Sequence, residues 1–162
     1  IKLWFNPTDK TAYYYAESEK VYLNVDSGLM FYREYNEQKI KNIVELDLSN
    51  FDTSQVTDMQ FMFSGMSSLT TLNLSNFDTS RVTNMEAIFF LEDEDIPKDK
   101  LEKIYVNNDF DVSKLTAFSN MFRNRKKLRG GNGSYLADPS TADKTWLRVD
   151  RSGVQGYFTR KP

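Results

Sequence analysis

A peptide of fourteen residues occurs twice in the chain, and the two copies are 26 positions apart. The first copy is LDLSNFDTSQVTDM at 46–59, the second is LNLSNFDTSRVTNM at 72–85, and they agree at eleven positions. A fixed period of 20–50 residues is typical of architectures in which one copy cannot bury its own apolar face. The sequence therefore predicts repeats that stack on one another.

The first half of each copy carries apolar residues in the order LxxLxL. The positions are Ile43, Leu46, Leu48 and Phe51, then Leu69, Leu72, Leu74 and Phe77, then Leu101, Ile104, Val106 and Phe110. The alternation within LxL predicts a short strand with one buried face, and the longer spacing is that of a leucine-rich repeat.

The second half of each copy changes to a helical period. Its apolar residues are Val56, Met59, Met62 and Phe63, then Val82, Met85, Ile88 and Phe89, then Leu115, Phe118, Met121 and Phe122. This spacing predicts one face of a helix of two or three turns. The intervening FDTS supplies side chains suited to an Asx-turn and a helix N-cap. Each repeat is therefore predicted to be strand, turn and short helix.

The two ends of the stack need caps. NPTD between aromatic-rich segments predicts an N-terminal β-hairpin, and MFYREYNEQKIKNI predicts the helical tail of a degenerate first repeat. TWLRVD, RSG and VQGYFTR predict a C-terminal strand, turn and strand. We expect a single α/β domain, a short leucine-rich-repeat-like solenoid of parallel strands and short helices with β-hairpin caps. Its predicted parts are a cap with the degenerate repeat at 1–42, repeats at 43–68, 69–100 and 101–129, and a second cap at 130–162.

Composition excludes most catalytic chemistry. The chain has neither Cys nor His, so it has no disulfide, no thiolate nucleophile and no His-dependent triad. Its 21 basic and 23 acidic side chains nearly cancel, which gives no field favouring nucleic acid. No apolar run reaches the length of a membrane span. We expect no enzyme, no cofactor and no metal.

The segment LDLSNFDTSQVTDMQFMFSGMSSL at 46–69 closely resembles the repeat of BspA-like leucine-rich-repeat surface proteins. VYLNVDSGLMF, IYVNNDFDVSKLTAFSNMF, LRGGNG and GYFT resemble the entry and exit segments of that family. Met66 stands where the family often has Cys, and the loops FLEDEDIPKDK and RNRKKLR depart from its pattern. The resemblance implies a bacterial protein, secreted or at the cell surface, and adhesion rather than catalysis.

The residues between the core leucines are predicted to point outward from the sheet. These sheet-face residues are Glu45, Asp47, Ser49, Thr71, Asn73, Ser75, Lys103, Tyr105 and Asn107. The corresponding face of leucine-rich-repeat proteins is their usual binding surface, and Tyr105 would be its anchor. The alternative is an ordinary solvated face.

The loops after the second and third repeats carry opposite charges. The basic run consists of Arg123, Arg125, Lys126, Lys127 and Arg129. It is a candidate patch for anionic glycans or acidic proteins. The acidic run, Glu92 to Asp95, could instead screen it within the molecule. The acidic run lacks the alternating ligands of a calcium loop, so an exposed insertion is expected.

Two further sets of residues have alternative interpretations. Asp52, Asp78 and Asp111 occupy equivalent positions, and turn capping explains them better than a catalytic or metal site. Capping would lower their pKa values. The N-terminal aromatic residues could stack sugars or cover the core: Trp4, Phe5, Tyr13, Tyr14, Tyr15 and Tyr22.

These observations favour a non-catalytic binding module of a larger bacterial surface or secreted protein. Its expected partner is a protein or glycan on host or neighbouring cells, with no nucleic acid and no membrane insertion by this segment. The module is expected to be monomeric. The alternatives are a structural spacer and an accessory module of a secreted enzyme.

Overall fold

The computed structural model describes residues 2–6, 8, 11–32 and 41–162 of the chain. The strands are β1 Lys2–Asn6, β2 Thr11–Tyr15, β3 Val21–Tyr22, β4 Phe51–Asp52, β5 Thr71–Asn73, β6 Lys103–Val106 and β7 Phe158–Arg160. Three 3₁₀ helices lie between them, at Asp93–Lys98, Pro139–Thr141 and Lys144–Trp146. The result is a small mixed fold with short parallel strands and few helical segments.

The strands form three small sheets. β1 and β2 pair antiparallel, which confirms the predicted N-terminal hairpin. β3 pairs with β4 in parallel, and β5, β6 and β7 form a parallel sheet in that order. The LxL segments of the second and third copies therefore lie side by side, with Leu72 opposite Ile104.

A second parallel ladder runs through the other half of the repeats. Single bridges join Asp26 to Asp58, Asp58 to Asn84 and Asn84 to Ala117. The backbone N–H of Met59 donates to the carbonyl of Asn84 at 2.9 Å, in the same way as Met85 donates to Ala117 at 2.8 Å. Equivalent residues of successive copies are thus neighbours in space, so the copies are stacked.

The predicted short helices are wrong. Residues 56–63, 82–89 and 115–122 form turns and bridges. Phe61, Ala87 and Asn120, at equivalent positions, have φ values of 53°, 51° and 55°. This left-handed conformation is incompatible with a continuing right-handed helix. The Phe61 N–H donates across to Glu86 at 3.0 Å instead of back along its own segment. The degenerate helical tail cannot be compared in full, because residues 33–40 lie outside the described part.

Two strand predictions are also corrected. Residues 43–50 contain no strand, and the first repeat joins a ladder only at β4. The predicted C-terminal hairpin is replaced by β7, which pairs in parallel with β6. The burial of Phe158 explains why β7 pairs with β6, because the Phe158 ring packs 4.7 Å from that of Phe110. The turn between Arg151 and Val154 forms as predicted, with reciprocal bonds of 3.0 and 2.8 Å.

A column of aromatic rings forms the centre of the core. Phe31, Phe63, Phe89, Phe122 and Tyr157 follow one another at centroid distances of 5.8, 5.9, 5.2 and 4.6 Å. Each of the three copies contributes one ring, Phe31 and Tyr157 extend the column at its two ends, and the spacing approximates that of adjacent strands. The repeated Phe therefore makes each copy the packing partner of the next.

Repeated polar residues add hydrogen bonds between copies. The Thr53 hydroxyl donates to the Asp78 carbonyl at 2.9 Å and accepts from the Asp78 amide at 2.8 Å. Thr79 makes the same two bonds with Asp111, at 3.2 and 2.9 Å. The Asn76 side-chain amide donates to carbonyls of the preceding copy at 2.9, 3.4 and 2.7 Å. The residues that recur in successive copies are therefore the ones that make hydrogen bonds between the copies.

Replacing Thr53 by Val removes both bonds to Asp78 and nearly preserves side-chain volume. We expect the free energy of unfolding to fall by about 2 kcal/mol, because a buried amide and carbonyl lose their partner. A urea titration followed by circular dichroism measures the change. Thr70→Val, at an exposed position, is the control. An equal loss in both variants would contradict the role of the Thr53 hydroxyl.

Candidate functional site

The structure brings together part of the predicted sheet face. Thr71 lies opposite Lys103, and Tyr105 lies between Asn73 and Thr159 in the parallel sheet. Ser75, Lys103 and Tyr105 are half-buried, whereas the other six sheet-face residues are exposed. Glu45, Asp47 and Ser49 precede β4 and belong to no strand. The face is therefore a small platform on β5–β7 with an irregular margin.

Several side chains of this face hold its turns. Asp47 and Asn73 accept hydrogen bonds from the backbone amides of Ser49 and Ser75, at 2.9 and 3.1 Å. The bond from Ser49 lowers the pKa of Asp47. Asn107 donates to the Ser75 carbonyl at 2.9 Å. These bonds fix the direction of the polar groups that remain open to solvent.

Arg125 does not belong to a surface patch, contrary to the sequence prediction. Its side chain is 1 % exposed and pairs with Asp99 at 2.7 Å. It also donates to the carbonyls of Phe89 and Met66, at 2.6 and 3.0 Å. Burial lowers the pKa of the guanidinium, and the charge of Asp99 opposes that shift. Arg125 fastens the segment after the second repeat to the core.

The signal for this burial was present in the repeat alignment. Phe122 corresponds to Phe63, so Arg125 takes the position of Met66, which is 1 % exposed. The neighbouring cations of the basic run made Arg125 look like a surface residue, although its position is equivalent to that of Met66. Position within a repeat predicts burial better than local charge does.

The rest of the basic run is partly screened. Arg123 pairs with Asp93 at 3.2 Å and lies over the Phe90 ring at 5.6 Å. Arg129 donates to two nearby carbonyls at 2.8 Å and lies 4.2 Å from the Tyr135 ring centroid. Lys126 and Lys127 are exposed. Screening by the acidic run thus holds for Arg123, whereas Arg125 pairs with Asp99, outside that run.

The acidic run is not simply an exposed insertion. Asp95 is 0 % exposed, and one of its carboxylate oxygens lies 2.8 Å from the ammonium of Lys41. Lys98 lies 3.4 Å from the other oxygen. Glu92, Asp93 and Glu94 are exposed, as expected. Within the part of the chain that the structure describes, no three acidic side chains converge as metal ligands would.

The row of aspartates caps turns, which confirms the capping interpretation. Asp52, Asp78 and Asp111 accept from the backbone amides two residues ahead, at 3.0, 2.9 and 2.9 Å. Hydrogen bonds from Ser54, together with Lys20, lower the pKa of Asp52 to about 2. Bonds from Ser113 lower the pKa of Asp111. All three carboxylates are therefore bound in turns, and the lowered pKa values keep Asp52 and Asp111 ionised.

The aromatic set divides between core and surface. Tyr14 is half-buried, with its ring 5.8 Å from that of Phe51. Tyr13, Tyr15 and Tyr22 are exposed by 40 %, 54 % and 67 %. The side chains of Trp4 and Phe5 lie outside the described part.

An open depression of about 750 Å³ lies next to Tyr22. It is lined by Glu19, Lys20, Ser49, Asn50, Phe51, Asp52, Ser54, Asn76 and Asp78. Tyr22 is the register partner of Asp52, so their side chains share one face. Sequence reasoning missed this site because its lining comes from the segment just before β3 and from two successive copies.

Removing the Arg125 charge leaves Asp99 unpaired in the core. We expect Arg125→Met to lower the free energy of unfolding by about 3–5 kcal/mol. Arg123→Met, at a half-exposed position nearby, should cost less than about 1 kcal/mol. Urea titration measures both changes. Adding Asp99→Leu to Arg125→Met should recover part of the loss. Equal stability of the two single variants would contradict the buried pair.

Acid should weaken the fold through Asp52. Because its folded pKa lies below its ordinary value of 3.8, its charge stabilises the fold above that value, and the effect disappears as the pH falls through about 2. Asp52→Asn keeps an oxygen for the Ser54 amide but removes the charge. We therefore expect a shallower fall of thermal midpoint from about pH 5 to pH 2. Glu17→Gln removes an equal charge away from the turn, and an identical effect there would refute the assignment.

A family model described as "Mycoplasma protein of unknown function, DUF285" matches residues 30–145, which include all three repeats. Comparison with curated proteins and with solved structures gave no significant match. The family description indicates a bacterial protein. No helix among the described residues is long and apolar enough to cross a membrane. With most of its length matched, the chain belongs to the family of Mycoplasma proteins of unknown function DUF285.

Proposed function

We propose that the chain is a non-catalytic binding module of a secreted or cell-surface bacterial protein. The observation that carries the proposal is the platform on β5–β7, where Asn73, Tyr105 and Thr159 lie in register. A parallel sheet that places an exposed polar side chain, Asn73, beside a half-buried aromatic ring, Tyr105, suits recognition of a protein or glycan. The resemblance to BspA-like surface proteins supports adhesion as the biological role.

We further propose that the stacked copies form a short solenoid of the leucine-rich-repeat kind. The aromatic column and the two parallel ladders support this, because each copy contacts its neighbours in the same way. Repeats at 43–68, 69–100 and 101–129 fit the spacing of equivalent residues.

Several features support a role without catalysis. The chain lacks His and Cys, and its aligned aspartates are engaged in turn capping. A carboxyl group whose pKa is lowered by amide donors, as in Asp52 and Asp111, is a poor general acid near neutral pH. The surface can therefore interact with a ligand through hydrogen bonds, charges and aromatic contacts.

A mixed array of matrix proteins, mucins and glycans, probed at low and physiological salt, tests the proposal. We expect Tyr105→Ser to weaken binding by about tenfold or more, because aromatic anchors contribute strongly to interfaces. Tyr135→Ser, which removes an exposed ring elsewhere, is the matched control and should bind as the unaltered domain does.

Two outcomes would contradict the proposal in different ways. Binding that fades with salt and disappears in a Lys126→Ser, Lys127→Ser double variant would move the site to the exposed remainder of the basic run. Binding to nothing on the array, by a domain shown to be folded, would favour the structural spacer.

A further inference from the structure

We propose that the depression beside Tyr22 binds a neutral or N-acetylated sugar residue of a glycan. This inference rests on the proposed role as a binding module. It adds a second binding site, apart from the platform on β5–β7, and names the class of its ligand. The volume of about 750 Å³ lies within the usual range of small-ligand sites.

Tyr22 places an aromatic ring at the margin of the depression, next to the lining residue Asp52. The residue lies in β3 directly opposite Asp52, which lines the depression, and its side chain is 67 % exposed. Lys20, on the same rim, is close enough for the two side chains to interact electrostatically. A pyranose has one face of C–H groups, and an exposed aromatic ring beside polar groups provides a surface on which that face can pack.

The remaining lining offers both donors and acceptors. Asp78 uses one carboxylate oxygen for the Ser80 amide at 2.9 Å. Among the described residues, its other oxygen has no hydrogen-bond partner, and neither has the side-chain amide of Asn50. A carboxylate oxygen accepts from sugar hydroxyls, whereas a carboxamide both donates and accepts. Together they match the vicinal hydroxyls of a sugar.

The lining is also held in place before a ligand arrives. The Asn76 side chain is fixed by its bonds to three carbonyls of the preceding copy. Asp52 is held by the Ser54 amide at 3.0 Å and by Lys20 at 3.1 Å. Because little ordering remains to be done on binding, a weak set of polar contacts can suffice.

Charge decides which glycans fit. Glu19, Asp52 and Asp78 outnumber Lys20 in the lining. With these included, residues 11–32 and 41–90 contain nine acidic and three basic side chains. Sialylated, uronic and sulfated sugars would be repelled by this field. The ligand is therefore a neutral or N-acetylated sugar.

The same negative field would attract a Lys- or Arg-rich peptide. The centre of the depression argues against that occupant, because the ammonium of Lys20 lies 3.1 Å from Asp52 and already neutralises it. A second cation would have to displace or oppose Lys20. The uncharged amides and hydroxyls of Asn50, Ser49 and Ser54 suit a sugar better.

The test uses the intact chain on an array of neutral, N-acetylated and sialylated oligosaccharides, with matrix proteins and polylysine on the same surface. We expect binding to neutral or N-acetylated glycans that changes little with salt. Tyr22→Ser should reduce this signal at least about tenfold. Asp78→Asn keeps the oxygen needed by Ser80 and should weaken it less. Tyr135→Ser, distant in sequence and similarly exposed, is the control, and thermal melting verifies the fold of each variant.

Each contrary result has its own meaning. Glycan binding that survives Tyr22→Ser, or a preference for sialylated glycans, overturns the proposed site. Salt-sensitive binding to polylysine alone assigns the depression to a basic peptide and also overturns it. Binding to matrix proteins without any glycan signal ends this inference but leaves the module's binding function standing. Silence on every probe removes both.

Discussion

Hydrogen bonds between equivalent residues of successive copies are the constraint on which the rest of the structure depends. Met59 bonds to Asn84, and Met85 bonds to Ala117, so one backbone register passes through three copies. Given that register, Phe63, Phe89 and Phe122 must stack. Thr53 and Thr79 must likewise meet the backbone of the next copy. A repeated sequence can make all these contacts, because a given residue finds the equivalent partner each time one copy packs on the next.

The same constraint explains why the predicted helices are absent. A spacing of i, i+3, i+6 and i+7 would place Met59, Met62 and Phe63 on the buried face of a helix. The turns of the observed structure bury the same three side chains equally well. Periodicity reports which side chains are inside and does not report where the N–H groups bond. In these segments alternate N–H groups, such as those of Met59, Phe61 and Phe63, bond to the neighbouring copy, and one donor cannot serve both arrangements. The sequence therefore predicted the buried residues, the stacking and the N-terminal hairpin, but not the path of the backbone.

Candidate sites were predictable where they followed the repeat and unpredictable where they depended on its interruptions. The capping role of Asp52, Asp78 and Asp111 follows from their equivalent positions. Arg125 looked like part of a cationic surface because its neighbours in sequence are Arg123 and Lys126. In space its neighbours are Met66, Phe89 and Asp99, which come from two other copies. Long-range contacts of this kind arise from stacking, so a local charge pattern cannot show them.

Regular contacts between copies also limit where a ligand can be recognised. Polar groups inside the ladders, such as the Thr53 hydroxyl and the Asn76 amide, already have backbone partners and are unavailable. In the described part of the chain, exposed groups that make no such contact keep bonding capacity, as the side-chain amide of Asn50 and one carboxylate oxygen of Asp78 do. Tyr22 lies in β3, which pairs with β4, and its side chain is exposed to solvent. Specificity in such a chain should therefore arise from exposed side chains that the contacts between copies leave unbonded, while those contacts hold the side chains in a fixed geometry.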